Sequence, residues 1–318
     1  MVIGTTTILE ISDQKDMDSL VRGLDITSDH VLIKPNWVDG MRASHIEADV
    51  LDMFLTALNK PATIIESYTF WRTDKIKDGS GDYFSSKEAG LEAGRQHWDH
   101  FKKQDKWFLE SEGIDKVLEK HDVEYVNITN EVWEGNVADK EEIKDMVERK
   151  YGPVRLPEMY GYVPKKLFDL KGSNLVSLAK AKRDTFYGLS LGIKNLFGLI
   201  PDPHRIATYH GENDEYLGRS ILDVHRIYQS LFDLRVVVDG IYTACEMDWD
   251  VKKAIPIENW GIMIGGTNGL EVDSIAGVLM KGEFKQGVKE AIDGYGDIFG
   301  GFDCEILEKV PSIMELPC

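Results

Sequence analysis

Cysteine is nearly absent from this chain. Three occur in 318 residues, Cys245, Cys304 and Cys318, far apart and with no C-x-x-C pair. That spacing excludes a disulfide framework and a ferredoxin-type cluster motif. A reducing, cytoplasmic setting is the expectation, with no iron–sulfur cluster of the chain's own. Long apolar runs are missing too. None approaches the roughly 18 residues a membrane-spanning helix needs, and the opening MVIGTTTILE has neither the basic start nor the apolar stretch of a secretory signal. A membrane is therefore not among the expected partners. Positive charge is in short supply: 37 Lys and Arg against 55 Asp and Glu leave a net charge of −18, a surface that repels nucleic acid and anionic lipid. Two glycine fingerprints are lacking as well. There is no G-x-x-x-x-G-K-[ST] phosphate loop, and no G-x-G-x-x-G follows an N-terminal strand. Internal repeats and low-complexity tracts are absent.

What is present is an alternation. Apolar residues make up 42% of the chain, enough for a substantial core. Short, nearly continuous apolar runs at 30–34 (HVLIK), 62–66 (ATIIE), 175–179 (LVSLA), 234–239 (LRVVVD) and 260–265 (WGIMIG) predict strands buried on both faces. Thr5 to Ile11 and Val123 to Asn127 predict two more. Segments with helical spacing lie between them: 13–24, 46–59, 85–95, 106–120, 139–151, 216–232, 269–280 and 283–293. Glu131 to Asn136 is expected to pair locally, and Cys304 to Leu307 to form an edge strand. The fold class that follows is α/β, a doubly wound, mainly parallel sheet. The chain is expected to form one α/β domain over 1–318, with an elaborated helical insertion or cap at about 68–165.

In such a fold, ligands bind beyond the carboxyl ends of the strands. Those ends deliver Lys34 and Asn36, Glu66 and Ser67, Lys180 and Lys182, Asp239, and Gly265 and Gly266. Lys34 and Asn36 stand two apart, so in extended chain both face one side. A cation beside an amide suits a carboxylate or phosphate oxygen, although a lysine can also close a strand by reaching solvent. Lys180 and Lys182 share a side in the same way. They either hold an anion, with a lowered pKa that suits proton transfer, or pair with the acidic surface. Lys194 and Asn195 follow two glycines spaced for close approach of backbone. Gly265 and Gly266 lie before a helix, where backbone N–H groups can meet an anion or simply form a tight turn. His204 and His210 are six apart in a polar loop and are candidate metal ligands with a nearby carboxylate, or plain surface histidines. Glu66 and Asp239 are candidates for handling protons, with Asp273 considered beside them. Trp37, Phe70 and Trp71 sit where they would floor a pocket.

VLIKPNWV (31–38), IIES (64–67), GIKNLFGLIP (192–201), VVVDGI (236–241) and GLEVDSIAGVLMKG (269–282) resemble the family called domain of unknown function three-six-two. KNLFGLIP is the most specific of these pieces. The resemblance implies iron–sulfur association, since members often carry ferredoxin-type modules, and it brings in a redox protein as a candidate partner. Where the family has a Pro-Lys-Leu-Lys-Thr-His run, this chain reads Ala179 to Asp184, keeping both lysines and losing the histidine. Three functions follow as expectations. The first is an enzyme that binds a small anionic substrate through Lys34, Asn36, Lys194, Asn195, Gly265 and Gly266, with Lys180, Lys182, Glu66 and Asp239 catalytic. The second is a non-catalytic partner in a redox or iron–sulfur system. The third is a metal enzyme built on His204 and His210.

Overall fold

The computed structural model describes residues 1–72, 76–77, 83–84, 94–184, 188–203, 205–248, 253–282 and 296–316. The apolar runs become strands. In chain order these are β1 (Val2–Ile3), β2 (Thr6–Glu10), β3 (Val31–Pro35), β4 (Ala62–Glu66), a small ribbon of β5 (Ile76–Lys77) and β6 (Tyr83–Phe84), β7 (Glu124–Asn127), β8 (Asn174–Asp184), β9 (Gly188–Ser190), β10 (Asp233–Asp248) and β11 (Lys253–Gly266). Every residue of β3 and β4 is buried, as continuous apolar runs demand of central parallel strands.

The main sheet has nine strands in the order β1-β2-β11-β10-β8-β3-β4-β7, with β9 pairing with β8. Strands β10, β8, β3, β4 and β7 are parallel, while β11 and β2 are antiparallel to their neighbours. The fold is thus α/β and mostly parallel. From β3 the chain builds outward through β4 to β7, then returns to lay β8 on the other side of β3 and β10 beyond it. The direction of build-up reverses between β3 and β8, the topological switch point at which such sheets open a crevice.

Each face of the sheet has its own core because side chains alternate along a strand. Val31, Ile33, Ile64, Val176 and Val237 pack against the helices Gln14–Arg22 and Ala48–Leu58 through Met17, Leu20, Leu51 and Phe54. Leu32, Ile65, Leu175, Val236 and Val238 pack on the opposite face against Ile221, Val224 and Ile227 of the helix Leu217–Leu231 and Ile275 of Gly269–Leu279. The first helix starts at a capping box in which Asp13 accepts from Lys15 and Asp16 N–H groups. Among the described residues, no helix is long and apolar enough to cross a membrane.

Several expectations change. Of the stretch 68–165, residues 124–127 join the main sheet as β7, and Ile143 and Val147 of the helix Lys140–Tyr151 enter its core. Cys304 to Leu307 is part of a 3-10 helix, Cys304–Lys309, not an edge strand. Glu131 lies in the helix Ile128–Glu134, which Asn127 caps. The helical stretch expected at 106–120, punctuated at Asp105 and Gly113, is two helices, Trp98–Ser111 and Ile114–Lys120; they part at Gly113, whose φ of 70° favours glycine, while Asp105 lies inside the first. The helices expected at 85–95 and 283–293 fall almost wholly outside the described residues.

Candidate functional site

The crevice at the switch point is occupied by the side chains that the parallel strands carry to it. Lys34 is the fourth residue of β3 and is 1% exposed. A buried ammonium is tolerated only when its donors are met, and here three acceptors surround it. Nζ donates to Glu66 Oε1 at 2.6 Å, to the Pro35 carbonyl at 2.6 Å and to Asn195 Oδ1 at 3.3 Å. Burial is the main force on Lys34 and holds its pKa down to about 8. Glu66 works against that, and the guanidiniums of Arg205 and Arg72 add to it. Glu66 accepts two further bonds, from Trp37 N–H at 3.2 Å and Ser67 N–H at 2.8 Å. Its oxygens are occupied as the counter-ion of Lys34.

Two asparagines tie this pair to β8. Asn195 donates to the Lys34 carbonyl at 2.8 Å and to Ser177 Oγ at 3.1 Å, and its Oδ1 accepts from Asn36 Nδ2 at 3.1 Å. Asn36 Oδ1 in turn accepts from Lys182 Nζ at 2.7 Å, and Lys182 also donates to the Ser44 carbonyl at 2.7 Å. Asn195 closes the short helix Gly192–Asn195, whose start is fixed by Asp273. The Asp273 carboxylate accepts from Gly192 and Ile193 N–H groups at 2.9 and 2.8 Å, while burial pushes its pKa up to about 7. Asp273 therefore shapes the site from behind. The segment after Asn195 then folds over Lys34. Gly198 lies so close that a Cβ there would sit 2.8 Å from Lys34 Nζ and 3.2 Å from Glu66 Oε2. The glycine in KNLFGLIP is needed for that approach.

The cavity left between these elements has a volume of about 110 Å³. Lys34, Asn36, Glu66, Lys182, Lys194, Asn195 and His210 all line it, as do Trp37, Phe70 and Trp71. One lining residue has no counterpart among the expected ones. Arg205 donates from Nε to the Ile200 carbonyl at 3.0 Å and from Nη2 to the carbonyls of Tyr68 at 2.9 Å and Gly198 at 3.2 Å, with Ser67 Oγ also in contact. The signal available in the sequence was its place, a cation just past the two prolines that close GLIPDP. Four cations, Lys34, Lys182, Lys194 and Arg205, thus face the cavity against one carboxylate, Glu66.

His210 stands at the same wall, with Nδ1 2.8 Å from Asp214 Oδ1 and its ring 5.3 Å from that of Phe197. Burial lowers its pKa to about 4. Asp214 opposes the shift, and Lys194 and Arg205 reinforce it. The imidazole is therefore neutral at pH 7. With a carboxylate facing Nδ1, the proton resides on that nitrogen and the lone pair on Nε2.

Other expected site residues lie elsewhere. Lys180 does not line the cavity. It is fully buried in a triad with Glu47 Oε2 at 2.5 Å and Asp239 Oδ2 at 2.8 Å, beneath the Tyr242 ring. Burial, with Glu47 as a second negative group, pushes the Asp239 carboxyl up against the pull of Lys180. Gly265 and Gly266 do not line the cavity. Gly266 pairs with Val236, in the row of Ser177 and Lys34, and Gly265 with Val237, in the row of Leu178 and Pro35, so the glycines are level with β3's end but lie on β11, three strands to the side. A Cβ on Gly265 would meet Leu24 at 2.9 Å, so its smallness serves packing. His204 lies outside the described residues. Among the described residues, no group of three or more His, Cys, Asp or Glu side chains is arranged to hold a metal.

Comparison with curated proteins and with solved structures returns no match. The family model described as Domain of unknown function (DUF362) matches residues 31–277, the span from β3 through most of the helix Gly269–Leu279 that carries Lys34, Glu66, Lys182, Asn195 and Arg205, and the chain belongs to that family.

Proposed function

We propose that the chain is an enzyme that binds a small anion, a carboxylate or a phosphate, in the switch-point cavity and acts on it by proton transfer. The observation that carries this reading is Arg205. Backbone carbonyls fix its guanidinium at the wall of a cavity where cations outnumber carboxylates four to one. A fixed guanidinium is a preorganised partner for a carboxylate or phosphate oxygen. Lys182 and Lys194 add positive potential, which a narrow crevice with low-dielectric walls concentrates.

His210 is the proton acceptor in this reading, oriented by Asp214 in the manner of an acid–base dyad. A base whose pKa is about 4 is weak when the cavity is empty. An anion seated against Lys194 and Arg205 offsets the charges that depress it, so the imidazole becomes more basic when ligand arrives. Lys34 and Glu66 serve as the fixed floor rather than as reacting groups, since each is held by three bonds.

Calorimetric titration with a panel of small carboxylates and inorganic phosphate tests the reading. The expected result is saturable binding by at least one class, weakened about tenfold or more in Arg205→Lys, which keeps the charge and loses the fork. His210, followed by NMR, should titrate at a higher pH in the complex than alone. Absence of saturable binding across the panel, or binding that Arg205→Lys leaves unchanged, would overturn it.

A further inference from the structure

We infer that the ligand of this cavity is an amphipathic monoanion, a carboxylate carrying one compact apolar body such as a single ring or a branched alkyl group. This deepens the reading above and rests on it. The cavity is mixed in chemistry. Its lining includes the cations Arg205, Lys182 and Lys194 and the aromatic rings of Phe70, Trp71 and Phe197. The wall it presents is more carbon than polar atom. A bare ion would satisfy the cations and leave that aromatic wall facing water, whereas an apolar body placed there gains the free energy of removing both surfaces from water.

Size narrows the class. A sealed apolar cavity of about 150 Å³ holds one benzene ring. The present cavity, at about 110 Å³, is somewhat smaller, so a head group with one compact body is the most it can take, and a nucleotide or a long acyl chain is too large for it. The wall is also rigid enough to discriminate. Phe70 and Trp71 lie with ring centroids 4.5 Å apart, and Phe70 and Phe197 are both nearly buried. The aromatic residues reach the cavity from the loop after β4 and from the helical turn Leu196–Leu199. These are the same two segments that Arg205 staples together through Tyr68 and Gly198. Charge and apolar wall are thus set in one fixed relation, as a ligand with a head and a short body requires.

The experiment is an equilibrium titration of the full chain with four probes: benzoate, isovalerate, acetate and inorganic phosphate. The expected result is that benzoate or isovalerate binds on the order of tenfold or more tightly than acetate and phosphate. Trp71→Ala should bring the ring-bearing probe down toward acetate and leave acetate unchanged. Phe197→Leu, a milder change, should lower benzoate alone, and it keeps the test alive where the larger truncation disturbs folding. Equal affinity of acetate or phosphate with benzoate, or an equal loss of all probes in both variants, overturns the inference and leaves the anion site itself standing. No binding of any probe sinks both.

Discussion

Lys34 shows how a single buried residue can tie three segments together. A buried ammonium has to satisfy three donors, and the three acceptors around it come from its own strand, from β4 and from the helical turn after β9. Glu66→Gln removes its counter-ion and keeps the volume. Breaking a buried pair in this way is expected to cost about 3–5 kcal/mol, read as a shift in urea midpoint. Adding Lys34→Met to that variant should recover much of the loss, because the uncompensated charge is then gone. Gly198 gives a second test. Gly198→Ala places a methyl 2.8 Å from Lys34 Nζ, and overpacking of this kind is expected to destabilise by about 1–3 kcal/mol and to weaken ligand binding with it. A variant of unchanged stability and affinity would show that the Leu196–Leu199 turn has slack.

Among the elements, the parallel strands were the legible part. A continuous apolar run that ends in a polar residue predicts both a buried strand and what it delivers, and so Lys34, Asn36, Glu66 and Lys182 could be placed on one edge from sequence. Neither strand direction nor strand order is written in such a run. WGIMIG reads like its parallel neighbours, yet β11 is antiparallel and lies three strands from β3, which keeps Gly265 and Gly266 off the cavity. Lys180 and Lys182 were equivalent by spacing, but the register shift after Asp239 in β10 leaves Lys180 paired with Asp239 and gives Lys182 to the cavity. Arg205 was missed because its place depends on carbonyls of two segments far apart in the sequence, Tyr68 on one and Gly198 and Ile200 on the other, which no local pattern records.

The helix Leu217–Leu231 carries a pH-dependent strain of its own. His225 is fully buried, with Nε2 2.7 Å from the Ile193 carbonyl, and burial lowers its pKa from 6.5 to about 4. Between those two values the unfolded chain takes up a proton that the fold refuses, so this residue makes stability rise as pH climbs from about 4 to 6.5 and lowers it in full below about 4. The shift corresponds to about 3 kcal/mol. Asp273, raised to about 7, acts in the opposite sense between 3.8 and 7. The comparison of wild type with His225→Gln separates the two, because Asp273 is common to both. The stability of wild type relative to the variant should grow by up to about 3 kcal/mol across that window in urea unfolding. An unchanged difference would mean that the histidine titrates normally in the fold.

On the scale of the whole molecule, the contrast is between a surface of net charge −18 and a small interior crevice in which cations prevail. In the proposed reading the first repels anions at long range and the second favours one at a single place, so that the two together would select a ligand small enough to enter. That place is where the build-up of the sheet reverses between β3 and β8. The most direct test is a crystal structure of the chain soaked with a bromine-marked small carboxylate, with the halogen located by its anomalous signal. The account predicts one bromine in the cavity, against Trp71 and Phe197, with the carboxylate within hydrogen-bonding distance of the Arg205 guanidinium. A cavity empty at saturating concentration, with the anion bound only elsewhere on the protein, would contradict it.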